Sequence, residues 1–246
     1  MIRELLPRAV KRILRNSHRA FIMRRAMGKV INDPVAAVED DACLSALVYG
    51  WGNEGWSAEL DYLRFMVKMV ASLGKQEVLE CGSGLSTLLL AAAAARYGGH
   101  ITSLEHSPGW AERIRTELCK YGLAQHATPR VAPLRSYGSY TWYDVPERMG
   151  PFAGVVCDGP PSTTPGGRYG LIPVMSDRLA PGCRILLDDV ARVDEQNILI
   201  RWRDEFKATY RMFGVGKPFA ELTLRAAAGE KGTTGHDRAL IGDAVV

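Results

Sequence analysis

Four acidic positions stand at the ends of short apolar runs: Glu80, Glu105, Asp158 and Asp189, the last preceded by Asp188. Like charges gathered at one edge of a fold repel one another, so stability alone gives no reason for them. Together they suit a ligand with a cationic or hydroxyl-rich portion. The most informative of these runs is 77–87, Glu-Val-Leu-Glu-Cys-Gly-Ser-Gly-Leu-Ser-Thr. A short apolar segment ends in Glu80, a Gly82-Ser83-Gly84 turn follows, and Leu88-Leu89-Leu90-Ala91-Ala92 opens a helical pattern. A strand that feeds a helix through a glycine turn presents backbone N–H groups and a helix N-terminus to a ligand. Glycine permits the close approach that a Cβ would block. An acid beside the turn disfavours a phosphate there.

The second acid has its own logic. His100-Ile101-Thr102-Ser103-Leu104-Glu105-His106 reads as a strand ending at Glu105. It follows Glu80 by about twenty-five residues, near the offset of the ribose-binding acid in dinucleotide folds. A carboxylate there accepts from both ribose hydroxyls. Ser107 and Pro108 then suit the N-cap and first position of a helix. A ligand with a cationic end and a ribose matches S-adenosylmethionine. Asp158-Gly159-Pro160-Pro161 closes a further run and is expected to face that ligand's methionine end or an acceptor.

The series Leu79-Glu80-Cys81-Gly82-Ser83-Gly84-Leu85-Ser86-Thr87, Ser103-Leu104-Glu105-His106, Val156-Cys157-Asp158-Gly159-Pro160 and Leu186-Leu187-Asp188-Asp189 resembles the class I S-adenosylmethionine-dependent methyltransferases, with all four motifs in the family's order. The resemblance spans roughly residues 58–225, a domain of ordinary size. It implies an α/β fold, a Rossmann-like seven-stranded mostly parallel sheet with helices on both faces and a C-terminal antiparallel hairpin. It also implies cofactor contacts from Glu80, Gly82, Ser83, Gly84, Thr87, Glu105, His106 and Asp158. Within that set Glu80 serves either the methionine ammonium or the geometry of the loop, and Glu105 holds the ribose. His106 lies near the adenine or faces solvent. The family often has a third glycine where this chain has Ser86. In O-methyltransferases resembling the catechol and macrolide-sugar enzymes, acids at the positions of Asp158, Asp188 and Asp189 hold a magnesium-like ion, and oxygen ligands suit that ion. The alternatives are that Asp188 or Asp189 caps the next helix or binds the acceptor.

Methyl transfer from a sulfonium is an in-line displacement with a neutral leaving group. The protein's task is then to position the nucleophile and exclude water. A hydroxyl acceptor needs a base or a metal to take its proton, and Asp158 and Asp189 are the candidate catalytic residues. The expected reaction is O-methylation of a small molecule or glycan. A nicotinamide-dependent oxidoreductase would need Gly-x-Gly-x-x-Gly, which fails at Thr87, and a degenerate fold serving as a scaffold would not need an intact cofactor site. Nucleic acid is disfavoured as a partner, because the basic residues cluster in a leader and no Asn-Pro-Pro-Tyr-type motif follows the fourth strand.

The elements that must carry these residues are legible as alternation. Strands are expected near 77–81, 100–105, 128–132, 152–158 and 183–188, with helices near 85–97, 108–121, 167–179 and 192–206, the pattern of a parallel sheet covered on both faces. Apolar runs near 208–214 and 219–225 supply the hairpin, and Gly214, Gly216 and Pro218 its turn. Ahead of them lie a basic amphipathic helix in residues 1–30, a break at Asn32-Asp33-Pro34, a helix at about 36–48 and a loop Tyr49–Trp56 that suits either a lid or a plug of tryptophans at the core edge. Ser57 is then expected to cap a helix reaching about Leu73. Residues 1–57 are read as leader and lid, 58–225 as the catalytic domain and 226–246 as a loosely ordered tail.

Composition sets the remaining limits. The 246 residues are 47% hydrophobic and 24% charged, ordinary for a soluble globular chain. No apolar run reaches the length of a membrane span. Cys43, Cys81, Cys119, Cys157 and Cys183 show no metal-like spacing, and reduced thiols in a cytoplasmic protein are expected. Residues 1–30 hold nine Lys or Arg against Glu4; the leader's +8 within a total of +4 leaves −4 for the rest. Such a helix packs on its own domain, on a second copy, or on an anionic membrane surface.

Overall fold

The computed structural model describes residues 7–52, 58–145 and 148–224. Ahead of the sheet come α1 (Arg8–Asn32), α2 (Pro34–Glu39), α3 (Asp41–Trp51) and α4 (Leu60–Leu73). Then β1 (Glu77–Cys81), α5 (Leu85–Tyr97), β2 (His100–Glu105), α6 (Pro108–Lys120) and β3 (Ala127–Val131) alternate. A small antiparallel pair, β4 (Leu134–Ser136) and β5 (Thr141–Tyr143), precedes β6 (Phe152–Cys157). The chain continues through α7 (Leu171–Met175), β7 (Leu179–Leu187), α8 (Val193–Phe206), β8 (Thr209–Phe213) and β9 (Phe219–Thr223).

Among the described residues the main sheet has seven strands in the order β3-β2-β1-β6-β7-β9-β8. The first five in that order are parallel, and β9 and β8 close the edge antiparallel. This is the expected Rossmann-like arrangement. The order reverses between β1 and β6, and a crevice opens there at the carboxyl ends of the strands.

Strand alternation divides the core in two. Val78, Val156 and Leu186 face one side, packed with α1, α4 and α5 through residues such as Met27, Met66 and Leu89. Leu79, Cys81, Val155 and Ile185 face the other, with α7 and α8 through Met175 and Trp202. Successive strand residues point to opposite faces, so apolar runs without polar interruption are what a sheet covered on both faces requires.

Several expectations change. The segment 36–48 is two helices, because Asp33 and Asp40 each accept backbone N–H bonds as N-caps (Ala36 N 3.0 Å; Ala42 N 3.0 Å). Tyr49, Gly50 and Trp51 complete α3 instead of starting a loop. The helix expected at 167–179 is reduced to Leu171–Met175 with a 3₁₀ turn, and β7 begins at Leu179. Residues 134–143, where no strand was expected, form β4 and β5 around a turn at Gly138, whose φ is +85°. The expected cap Ser57, Trp56 of the lid and the tail 226–246 lie outside the described residues.

Candidate active site

Three of the four strand-end acids, Glu105, Asp158 and Asp189, converge on one crevice, and Glu80 does not. A cleft of about 630 Å3 is lined by Gly82, Ser83, Gly84, Glu105, Asp158 and Asp189 among others, with Trp51, Trp110 and Tyr143 also on its wall. Gly82 has φ +86°, and a Cβ there would stand 3.3 Å from Gly159 N, so only glycine fits. A Cβ on Gly84 would meet only Ser86 Oγ, at 3.9 Å. The space beside Gly84 therefore belongs to the cleft.

Glu80 lies behind the loop and does not line the cleft. Its carboxylate accepts from Ser86 Oγ (2.6 Å), Thr87 Oγ1 (2.7 Å) and Ser103 Oγ. Thr87 Oγ1 in turn accepts from Gly84 N at 3.0 Å. These contacts are of the geometric kind among its two expected roles: Glu80 ties loop, helix and neighbouring strand together. Thr87, expected at the cofactor, is fully buried in this same network. Serine and threonine at 86 and 87 thus have a reason, since a glycine could not donate to Glu80. Burial pushes the Glu80 carboxyl up to about 7 against those three donors.

Glu105 ends β2 inside the cleft, 4% exposed. Oε2 accepts from Ser83 Oγ at 2.9 Å, and Oε1 accepts from Ser107 N at 2.8 Å. Both bonds fix the carboxylate's direction. His106 Nδ1 stands 3.1 Å from Oε1, with its ring part-exposed at the cleft wall. Ser107 caps α6 as expected, accepting from Trp110 N. Trp110 Nε1 donates to Ser83 O at 2.7 Å and clamps the glycine loop from outside. The Arg113 guanidinium sits 4.6 Å from the ring centres of both Trp110 and Trp51.

Asp158 follows β6, and its backbone is pinned to β1 by the bond from Asp158 N to Cys81 O (3.1 Å). Asp188 and Asp189 follow β7. One carboxylate oxygen from each of Asp158, Asp188 and Asp189 lies within 4.8 Å of the other two. Asp189 adopts φ +58°, an uncommon conformation for a residue with a side chain. Asp188 Oδ1 accepts from Asp189 N (2.8 Å) and stabilises that turn. Burial, then repulsion from Asp158 and Asp189, pushes Asp188 up to about 7.

The residue that sequence reasoning missed is Arg168. Nothing in its local sequence sets it apart from a surface arginine, yet it is 2% exposed. Nη2 donates to Asp158 Oδ1 (3.0 Å) and Asp189 Oδ2 (2.8 Å), and Nη1 donates to Asp188 O (2.7 Å).

Comparison with known proteins agrees with this geometry. Residues 79–190 match the family described as a methyltransferase domain. Over that segment, just under half of its length, the chain is similar to a methyltransferase domain. No curated protein sequence matches it. Its fold is similar to that of an O-methyltransferase from Bacillus cereus in complex with S-adenosylhomocysteine (TM-score 0.55, 16% identity, 82% of this chain and 91% of that one). It is also similar to a precorrin-6y C5,15-methyltransferase from Geobacter metallireducens (0.54, 15%, 70% and 91%) and an S-adenosylmethionine-dependent O-methyltransferase from Thermotoga maritima (0.51, 14%, 71% and 68%).

The residues of the cleft fit one expected group and not the other. The open space at Gly84 and the fixed carboxylate of Glu105 suit a nucleoside cofactor. The three aspartates do not suit a divalent ion while Arg168 is in place. The guanidinium already donates to two of the three carboxylates, and the third is engaged by a backbone N–H. Magnesium needs oxygens at about 2.0–2.1 Å in octahedral array, and its charge would oppose that of Arg168 at close range.

Proposed function

We propose that this protein is a methyltransferase that uses S-adenosylmethionine to methylate an oxygen of a small hydroxylated molecule or a glycan, with Arg168 in the position a metal would take. One observation carries the reading: the open glycine loop and the directed carboxylate of Glu105 line the same cleft as Asp158. When bound, the cofactor supplies an electrophilic methyl on a positively charged sulfur. Glu105 accepts from the ribose hydroxyls. Gly82 and Gly84 let the backbone reach the nucleoside. Trp51 and Trp110 exclude water from their part of the cleft.

Asp158 is the most open of the three aspartates, its side chain 38% exposed against 17% for Asp189. Arg168 engages Oδ1, which leaves Oδ2 to take the proton of the acceptor hydroxyl. Asp189 fixes Arg168 and is a positioning residue. The test is calorimetry of the purified protein with S-adenosylhomocysteine and with NAD. Heat with the first and none with the second is expected; no binding of S-adenosylhomocysteine removes the reading. A mass-shift screen of hydroxylated acceptors then names the substrate.

A further inference from the structure

Helix α1 presents a surface that methyl transfer does not use. It carries eight Arg or Lys residues and no acid. Its second half is held on the domain by Met23, Ala26, Met27 and Val30, all buried. Its other side is apolar and open: Ile13 is 62% exposed, Leu14 54% and Phe21 61%. Val10, Leu14, Ser17 and Phe21 follow the four-three-four spacing of a single helix face. Leu14 and Met23, like Phe21 and Val30, are nine residues apart. At ~3.6 residues per turn that separation is about two and a half turns, so the open stripe points directly away from the domain. Arg8, Arg12 and Arg15 form a parallel row on the side of the helix opposite the stripe.

We infer that α1 lies in the interface of an anionic lipid bilayer, with Val10, Ile13, Leu14 and Phe21 among the acyl chains and the arginines reaching back to the headgroups. Charge complementarity selects this occupant. Helices with an apolar face and a Lys- and Arg-rich polar face bind in the plane of anionic membranes. Arginine keeps its head in the polar layer while its stem crosses apolar material. A second copy fits poorly. A two-fold contact sets the same patch against itself, which brings two acid-free helices together. A nucleic acid would engage the arginine row and leave the apolar stripe in water. Among the described residues no helix is long and apolar enough to cross a membrane, so the contact is one of lying on the surface. The stripe's direction places the domain on the water side.

The experiment is flotation of the full chain with vesicles of phosphatidylcholine alone and of phosphatidylcholine with phosphatidylglycerol. The protein is expected to float with the anionic vesicles only and to be released as salt is raised. In Ile13→Asp/Leu14→Asp the partition coefficient should fall more than about tenfold, since two anions enter the apolar stripe. Arg12→Glu/Arg15→Glu should fall as far. Both variants change exposed positions, and unaltered thermal unfolding shows that they fold. The inference is overturned if the wild-type protein stays at the bottom with anionic vesicles, or floats equally with both kinds. It is also overturned if Ile13→Asp/Leu14→Asp floats like the wild type, or if light scattering finds a dimer that this variant splits.

Discussion

Arg168 Nη2 donates to Asp189 Oδ2 at 2.8 Å, although 21 residues separate them in the chain. The same nitrogen holds Asp158, so one buried cation joins the ends of two neighbouring strands. Replacing Arg168 by methionine should leave Asp158 without its cation, while Asp189 keeps only Arg192, 2.8 Å away. Removing one partner of a buried ion pair typically destabilises by about 3–5 kcal/mol. Urea unfolding of Arg168→Met should show a loss of that order, and a loss below about 1 kcal/mol would mean that water already screens the cluster.

The same cluster makes a prediction about metals. Wild-type activity should be unchanged in excess chelator, and magnesium or manganese should not raise its melting temperature. In Arg168→Met the vacated acids gain the freedom to take a cation, and manganese should raise the melting temperature of that variant alone. Chelator-sensitive wild-type activity restored by magnesium would show that the guanidinium moves aside.

What was legible in the sequence, and what was not, follows from the range of the interactions. The segment 77–87 could be read because its apolar run, glycine turn and helix are all local, and α5 runs from Leu85 to Tyr97 as expected. The strand ends at Glu80, Glu105 and Asp158 could be read for the same reason. Arg168 could not. Its acceptors come from β6 and β7, and nothing within a few residues of it distinguishes a buried arginine from an exposed one. Leu171-Ile172-Pro173-Val174-Met175 had helical spacing but makes little more than one turn before the chain enters β7. The β4–β5 pair did leave a signal, Gly138 in a turn between Leu134–Ser136 and Thr141–Tyr143, and hairpin chemistry would have found it.

Glu105 should carry much of the cofactor affinity. Hydrogen bonds to a charged group contribute about 1.5–3 kcal/mol. Glu105→Ala should therefore weaken binding of S-adenosylhomocysteine by roughly ten- to a hundredfold, read by calorimetry. The variant also frees Ser83 Oγ, so Ser83→Ala is the control. It removes the 2.9 Å bond and keeps the carboxylate, and its effect should be several-fold smaller. Equal losses in the two variants would mean that Glu105 acts only through the loop.

The buried carboxyl of Glu80 should appear in the pH dependence of stability. Its value rises from 4.5 to about 7, so between these limits the folded state binds more protons than the unfolded one. Stability from this group is then present below pH 4.5 and falls as pH rises toward about 7. The full shift corresponds to roughly 3 kcal/mol. Glu80→Gln cannot ionise, so its urea midpoint should decline less between pH 5 and 7 than that of the wild type. Parallel declines would place the titration elsewhere, with Asp188 the next candidate because it too is pushed up to about 7.

Tyr143 separates packing from chemistry in the cleft. The side chain is fully buried, lines the cleft, and its Oη has no hydrogen-bond partner among the described residues. Burial holds the phenol well above its usual range, so it remains a neutral donor. An unsatisfied buried hydroxyl is unfavourable by about 1–3 kcal/mol, and removing it should help the fold. Tyr143→Phe is therefore expected to unfold at higher urea, with a gain of about 1 kcal/mol. If Oη donates to the acceptor, kcat/KM for methyl transfer should fall about tenfold, or about 1.4 kcal/mol, while the affinity for S-adenosylhomocysteine stays unchanged. A more stable variant with unaltered kcat/KM would show that the hydroxyl takes no part in the reaction. A less stable variant would show that it already has a partner in solution.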